Sequence, residues 1–159
     1  MAPPRDCPCR SGLRYADCCA PFHKGTREAP TPEALMRSRF SAFALGRDAY
    51  LVRTLSVTHP DRGVPEPALL RQVARSRERR RFLDLVVLHA STEGDSGEVL
   101  FFARIFEQGR DRSFAELSIF EREAGGWRYA SGILVPREAL PADPKILTRD
   151  TFLALAADA

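Results

Sequence analysis

The chain has 159 residues, 44% hydrophobic and 28% charged, a balance that excludes a disordered chain and suits one globular core with a small appendage. No apolar run approaches the roughly 20 residues of a membrane span, and Met1 to Asp6 leads into cysteines without the apolar stretch of a secretory leader, so a cytoplasmic protein with no membrane insertion is expected. The net charge of +3 rests on arginine, Lys24 and Lys145 being the only lysines, and four thiolates (−4) with one zinc ion (+2) would bring it to +1, which excludes bulk basicity as a guide to partners.

The first element is a cysteine module. All four cysteines lie between Cys7 and Cys19, as Cys7-Pro8-Cys9 and then Cys18-Cys19. A disulfide scaffold would spread its cysteines along the chain, whereas tight clustering points to metal binding. A Cys-x-Cys turn can set two sulfurs on one side, and a short helical turn carrying Cys18 and Cys19 can close a tetrahedral cage. Ser11-Gly12 offers a bend whose backbone N–H groups could support the sulfurs. His23, four residues after Cys19, is the alternative fourth ligand. Four protein ligands leave no open position, so Zn²⁺ here would be structural and not catalytic.

The joint from Thr26 to Pro32 contains Pro30 and Pro32 and favours an extended crossing. Thr31 is placed to cap a helix that opens on Pro32, runs to about Leu45 and stops at Gly46. Met36, Phe40 and Phe43 give it an apolar stripe. Asp48 is a second N-cap candidate, for a short helix through Leu55. A loop rich in Pro, Gly and Asp follows, from Val57 to Pro67, and a third helix is predicted over Ala68–Arg79, with Leu69, Leu70 and Val73 on its apolar side.

After Arg81 the period changes. The stretches 82–90, 99–107, 113–122 and 127–134 are rich in β-branched and aromatic residues, with turn residues between them. Those spacings predict hairpins and an antiparallel sheet, and helices followed by strands indicate an α+β domain. The tail beyond Val135 carries Pro136, Pro141 and Pro144, then a stretch from Thr148 suited to a short helix. The resulting division is a knuckle over residues 1–25, an α+β domain over 26–135 and an extension over 136–159.

The run Cys-Pro-Cys-Arg-Ser-Gly-Leu-Arg-Tyr-Ala-Asp-Cys-Cys resembles the SEC-C motif, the zinc knuckle also found at the C-terminal tail of the translocation motor SecA. The resemblance implies Cys7, Cys9, Cys18 and Cys19 as ligands and leaves His23 outside. Arg10 stands where that motif usually has glycine, so a positive φ there would be strained. It continues through Leu35 to Phe43, Asp48 to Leu51, Ala103 to Phe106, Glu116 to Phe120 and Gly126 to Gly132, which are similar to the YchJ family of bacterial SEC-C proteins. That family implies an NTF2-like cone, in which helices cover a curved antiparallel sheet. Some members carry a second knuckle at the C-terminus, and this chain has no cysteine there.

In such a cone the concave face lines a pocket. On the third predicted strand Phe114, Glu116, Ser118 and Phe120 alternate onto one face. A simple hairpin register would set Arg104 opposite Glu116, and Arg37 or Arg39 of the first long helix is expected to reach that carboxylate. An arginine–carboxylate network fixing helix on sheet is the favoured reading of these residues. A ligand pocket that also includes Trp127 is the alternative. No histidine is tied to a nucleophile: His89 is placed on a strand and His59 in a loop, so no catalytic residue is assigned.

Arg71, Arg75 and Arg79 recur every four residues, with Arg77, Arg80 and Arg81 nearby, a stripe that could follow a phosphate backbone. Three functions compete: a non-catalytic zinc-binding adaptor whose knuckle contacts protein, ribosome or RNA; a small-molecule binder or enzyme using the NTF2-like pocket; and a nucleic-acid backbone binder using Arg71–Arg81. The SEC-C resemblance favours the first.

Overall fold

The computed structural model describes residues 5–158, in which helices pack against an antiparallel sheet. The N-terminal segment folds back on itself through an antiparallel bridge between Asp6 and Arg14, and a short turn over Tyr15–Asp17 leads into α1 (Ala20–Lys24). α2 (Pro32–Leu45) begins and ends as its sequence predicts: the Thr31 side chain accepts from the Ala34 N–H at 3.0 Å, Pro32 opens the helix, and Gly46 closes it at φ +77°.

α3 (Asp48–Arg53) differs from expectation in its cap. Arg47 occupies the cap, while the Asp48 carboxylate accepts two hydrogen bonds from Arg77, at 2.6 and 2.9 Å, and so ties α3 to α4 (Glu66–Glu78). α4 starts two residues before the predicted Ala68, because Pro67 falls in the first turn, where its missing N–H costs nothing.

The strands are β1 (Arg80–Glu93), β2 (Ser96–Glu107), β3 (Arg110–Asp111), β4 (Phe114–Glu123) and β5 (Gly126–Pro136). Neighbours run in the order β1-β2-β4-β5, all antiparallel, and β3 is a two-residue piece against the end of β2. Alternation decides which residues meet the helices. Val99, Phe101, Ala103 and Ile105 join Leu35, Met36 and Phe40 of α2 in the main core, while Leu100, Ala115 and Leu117 belong to a second core on the other face.

A bulge in β5 redirects the sheet: Ile119 pairs with Ser131 but Phe120 with Tyr129, leaving Ala130 as the extra residue. Tyr129 thus packs against the helix-side core and Val135 within the opposite core, although six residues of unbroken strand would put them on one face. The C-terminal extension closes that second face. α5 (Arg149–Asp158) begins just after Thr148 and buries Phe152 completely among Leu100, Leu117 and Val135. Among the described residues no helix is long and apolar enough to cross a membrane.

A four-cysteine knuckle docked beside an internal cavity

The knuckle is assembled from two short pieces of chain. In the first, Cys7 N–H donates to the Leu13 carbonyl at 2.9 Å and Arg10 N–H to the Cys7 carbonyl at 3.2 Å, which bends Cys7-Pro8-Cys9 into a tight loop. In the second, the Tyr15–Asp17 turn delivers Cys18, and Cys19 caps α1. All four sulfurs lie within 4.8 Å of one another, and none is disulfide-bonded.

The donor set fits zinc. Four sulfurs each about 2.3 Å from a tetrahedral ion would stand about 3.8 Å apart. Here Cys9 and Cys18 are 3.5 Å apart, and Cys18 and Cys19 are 3.9 Å apart. Among Cys7, Cys9 and Cys19, sulfur against sulfur, only one thiolate is easily accommodated. Hydrogen bonds from Cys19 and Cys7 hold the Cys9 thiol far below the ordinary range, while Cys19 is pushed up by its hydrogen bonds to Cys7 and Cys9 and by burial. Cys7 gains from a Cys19 hydrogen bond, but the Cys9 contact and burial outweigh it and raise the thiol to about 11. A dication supplies the charge that four thiolates together require. Ser11, in the bend expected to support the sulfurs, supplies a side chain, its Oγ lying 3.1 Å from Cys18 Sγ, and the Cys9 backbone N–H supports the Cys7 sulfur.

His23 is not the fourth ligand in this arrangement. Its Nε2 meets the Ser38 carbonyl at 2.8 Å and must carry the proton, so Nδ1 accepts from the Tyr15 hydroxyl at 2.7 Å. Both ring nitrogens are committed to protein. The ring is also packed against Tyr50, and burial shifts its pKa downward, which keeps it neutral.

These contacts dock the knuckle on the domain. Arg37 Nη1 donates to the Cys9 carbonyl at 2.7 Å, and Nε of the same side chain pairs with Glu33 at 3.0 Å. Arg10 sits in the left-handed region at φ +65°, and its side chain crosses to β1, where it pairs with Asp84 at 3.0 Å and donates to the Leu83 carbonyl at 3.2 Å.

Between α2 and the sheet lies a cavity of about 400 Å³. Its walls are Met36, Phe40, Phe82, Phe101, Phe114 and Phe120. Its polar lining comes from Arg39, Glu116, Ser118 and Tyr129, together with Ser113 and the exposed Arg80, Asp111, Arg112 and Glu138. Glu116 Oε2 accepts from Ser118 at 2.5 Å and from Tyr129 at 3.0 Å. Arg39 lies over the Tyr129 ring and donates through Nη1 to the Leu51 carbonyl and Thr54 Oγ1. Burial pushes the Glu116 carboxyl up from its ordinary value, with the two hydroxyl donors and Arg39 acting against it.

Three expected members of this group stand elsewhere. Phe101 and not Arg104 is opposite Glu116, because β2 turns back through only Gln108 and Gly109, both at positive φ, and the register of the Glu107–Arg110 pair continues into β4; Arg104 is exposed and opposite Asp84 on β1. Arg37 is turned to the knuckle. Trp127 is buried in the main core under Arg122, and Tyr129 takes the place assigned to it beside Glu116. The expected Arg–Glu ion pair is also not formed: among the described residues, Glu116 makes no contact of ion-pair length. Arg71 and Arg75 on α4 and Arg79 just past its end are exposed, while Arg77 is held by Asp48; the helix has no aromatic residue to stack on bases.

Comparison with known proteins agrees with this geometry. The family described as "YchJ, middle NTF2-like domain" matches residues 31–132, and the SEC-C motif matches residues 6–21. The chain is 38% identical over 128 residues to UPF0225 protein YchJ of Shigella dysenteriae serotype 1 (strain Sd197), covering 79% of this chain and 81% of that protein. It superposes on the solution structure of a SEC-C motif containing protein from Rhodopseudomonas palustris with a TM-score of 0.72 at 37% identity, over 80% of this chain and 97% of that one. A crystal structure of a SEC-C motif containing protein from Psychrobacter arcticus matches in fold, with a TM-score of 0.67 at 24% identity over 79% and 80% of the two chains.

Proposed function

This chain belongs to the YchJ family of SEC-C motif proteins, and from that premise we propose that it is a cytoplasmic, non-catalytic zinc-binding adaptor whose knuckle is a rigid contact surface. The observation that carries this reading is the closed set of four sulfurs. Cys7, Cys9, Cys18 and Cys19 would fill the coordination of Zn²⁺ and leave no position for a substrate, so the ion would supply shape and not Lewis-acid chemistry.

One side of the knuckle is spent on the domain through Arg10, His23 and Arg37. The other side presents Leu13, a large apolar residue held 53% exposed on a braced loop, beside the exposed Arg5 and Arg14. A leucine fixed in solvent by metal-supported backbone is suited to contact with a protein or with ribosomal RNA.

Metal analysis of the purified chain should give one zinc per molecule, falling to none in Cys7→Ser/Cys9→Ser. A Leu13→Glu/Arg14→Glu variant should keep its zinc and lose a partner that the wild-type chain captures from a bacterial lysate, with ribonuclease treatment separating an RNA contact from a protein one. A partner set unchanged in that variant would remove the adaptor reading, and a zinc-free wild-type protein would remove the metal.

A further inference from the structure

We propose that the cavity under α2 is a binding site for a small monocarboxylate with an aromatic or branched apolar body. This goes beyond the adaptor reading and does not depend on it. About 400 Å³ falls within the roughly 300–1,000 Å³ usual for small-molecule sites, and phenylalanine dominates its apolar walls. Such walls favour an apolar body.

The polar end is defined by what the protein leaves unused. Arg39 spends Nη1 on the Leu51 carbonyl and Thr54, at 2.8 and 2.6 Å. Among the described residues neither its Nε nor its Nη2 has a hydrogen-bond partner, and no carboxylate comes within ion-pair distance of it. Glu116 is the mirror case. Its Oε2 takes both the Ser118 and Tyr129 hydroxyls, and Oε1 takes nothing.

No buried side-chain nitrogen or oxygen among the described residues lacks a partner, so these free atoms reach open volume. Both residues line the cavity. A cation and a carboxyl thus share one apolar chamber without pairing, each with hydrogen-bonding capacity in reserve. In a protein interior such groups are ordinarily matched.

A carboxylate matches both. It accepts from the Arg39 guanidinium in the planar geometry suited to that pair, and its second oxygen can share a proton with Glu116 Oε1. The raised pKa of Glu116 favours the protonated form that such sharing needs. A phosphate is less well served, since the other lining arginines, Arg80 and Arg112, are exposed and each faces Glu107 at 3.6 Å. Gly132 makes room for the arrangement, because a Cβ there would meet Glu116 Oε2 and the Tyr129 hydroxyl at 2.6 Å each.

The test uses the zinc-loaded full chain and calorimetric titration with 4-phenylbutyrate, indole-3-acetate and octanoate, each beside its primary amide and methyl ester. At least one carboxylate should bind saturably, with its ester and amide at least tenfold weaker. Arg39→Met should lower that affinity at least tenfold. If Arg39→Met fails to fold, Leu134→Trp takes its place: Leu134 lines the cavity at an exposed strand position, so a larger ring there narrows the chamber without disturbing the core. That variant should also weaken binding at least tenfold. No saturable binding of any carboxylate at millimolar concentration overturns the proposal. So does an amide or ester that binds as well as its acid, or a folded variant with unchanged affinity.

Discussion

Arg37 Nη1 donates to the carbonyl oxygen of Cys9 at 2.7 Å, so a residue of α2 is bonded to the backbone of a candidate metal ligand. Two positions along the same helix, Arg39 lines the cavity. Side chains two apart on a helix point to different sides, and here those sides are the knuckle and the chamber. The consequence is that α2 is a wall shared by both.

Metal loss should therefore be felt by the whole domain. Zinc contributes about 10–16 kcal/mol to the folding of isolated zinc fingers, and a quarter of that would lower Tm by roughly 5–16 °C in a domain of this size. Chelation, or Cys9→Ser, is expected to lower the calorimetric Tm by at least that amount. It should also broaden the amide resonances of α2 in a proton–nitrogen correlation spectrum. A knuckle that loses its metal while α2 and Tm stay unchanged would show that the two are uncoupled.

Arg10 makes a second, more specific prediction. Its φ of +65° costs a non-glycine residue about 1–2 kcal/mol, whereas its ion pair with Asp84 is solvent-exposed at both ends and worth about 0–1 kcal/mol. The exposed bond to the Leu83 carbonyl adds to the contact side, so strain and contacts stand close to balance. Arg10→Gly should leave Tm unchanged or raise it by a few degrees, and Arg10→Ala, which keeps the strain and loses the pair, should lower it. Thermal melts of the two variants decide the matter, and equal Tm values would mean that the loop relaxes out of the left-handed region.

Local chemistry made much of this structure legible. Thr31, Pro32 and Gly46 bound α2 because capping is a property of a few adjacent residues, and the four cysteines identify their cluster by spacing alone. Phe114, Glu116, Ser118 and Phe120 share a face because alternation is strict within one strand. What failed was longer in range. The place of Arg104 depended on whether the turn after β2 holds two residues or three, a choice that moves every pair in the hairpin, and Tyr129 replaced Trp127 because a bulge and the curvature of β5 decide which ring reaches the cavity. The docking of the knuckle was invisible for the same reason, since Arg10 and Asp84 are 74 positions apart.

Gly132 is a site where one methyl group should matter. It faces Ser118 across β4 and β5, and the Glu116 carboxylate and Tyr129 hydroxyl occupy the space where a side chain would stand. Neither group can withdraw easily, because each is hydrogen-bonded to the other. Gly132→Ala should destabilise by about 1–3 kcal/mol, seen as a lower denaturant midpoint with an unchanged slope. Gly63→Ala is the control: a Cβ there meets nothing within 4 Å and its φ is not left-handed, so a much smaller loss is expected.

Glu116 should also leave a signature in the pH dependence of stability. Burial raises its pKa in the folded chain above the ordinary 4.5, and the hydroxyls of Ser118 and Tyr129 and the charge of Arg39 offset this only in part. A raised folded value means that the native state keeps a proton which the unfolded chain releases. Stability from this group is therefore fully present below the unfolded value and falls as pH rises toward the folded one, then levels off. Glu116→Gln has no such proton, and its amide oxygen can still accept from both hydroxyls. Each unit of separation between the two values contributes about 1.4 kcal/mol, or roughly 3–5 °C in Tm. The Tm of Glu116→Gln minus that of wild type should accordingly climb as pH rises from 4.5 and then reach a plateau. Parallel Tm profiles for the two proteins between pH 4.5 and 8 would mean that the folded and unfolded chains release the Glu116 proton over the same range, and with the raised value would go the support it lends to a shared proton in the carboxylate site.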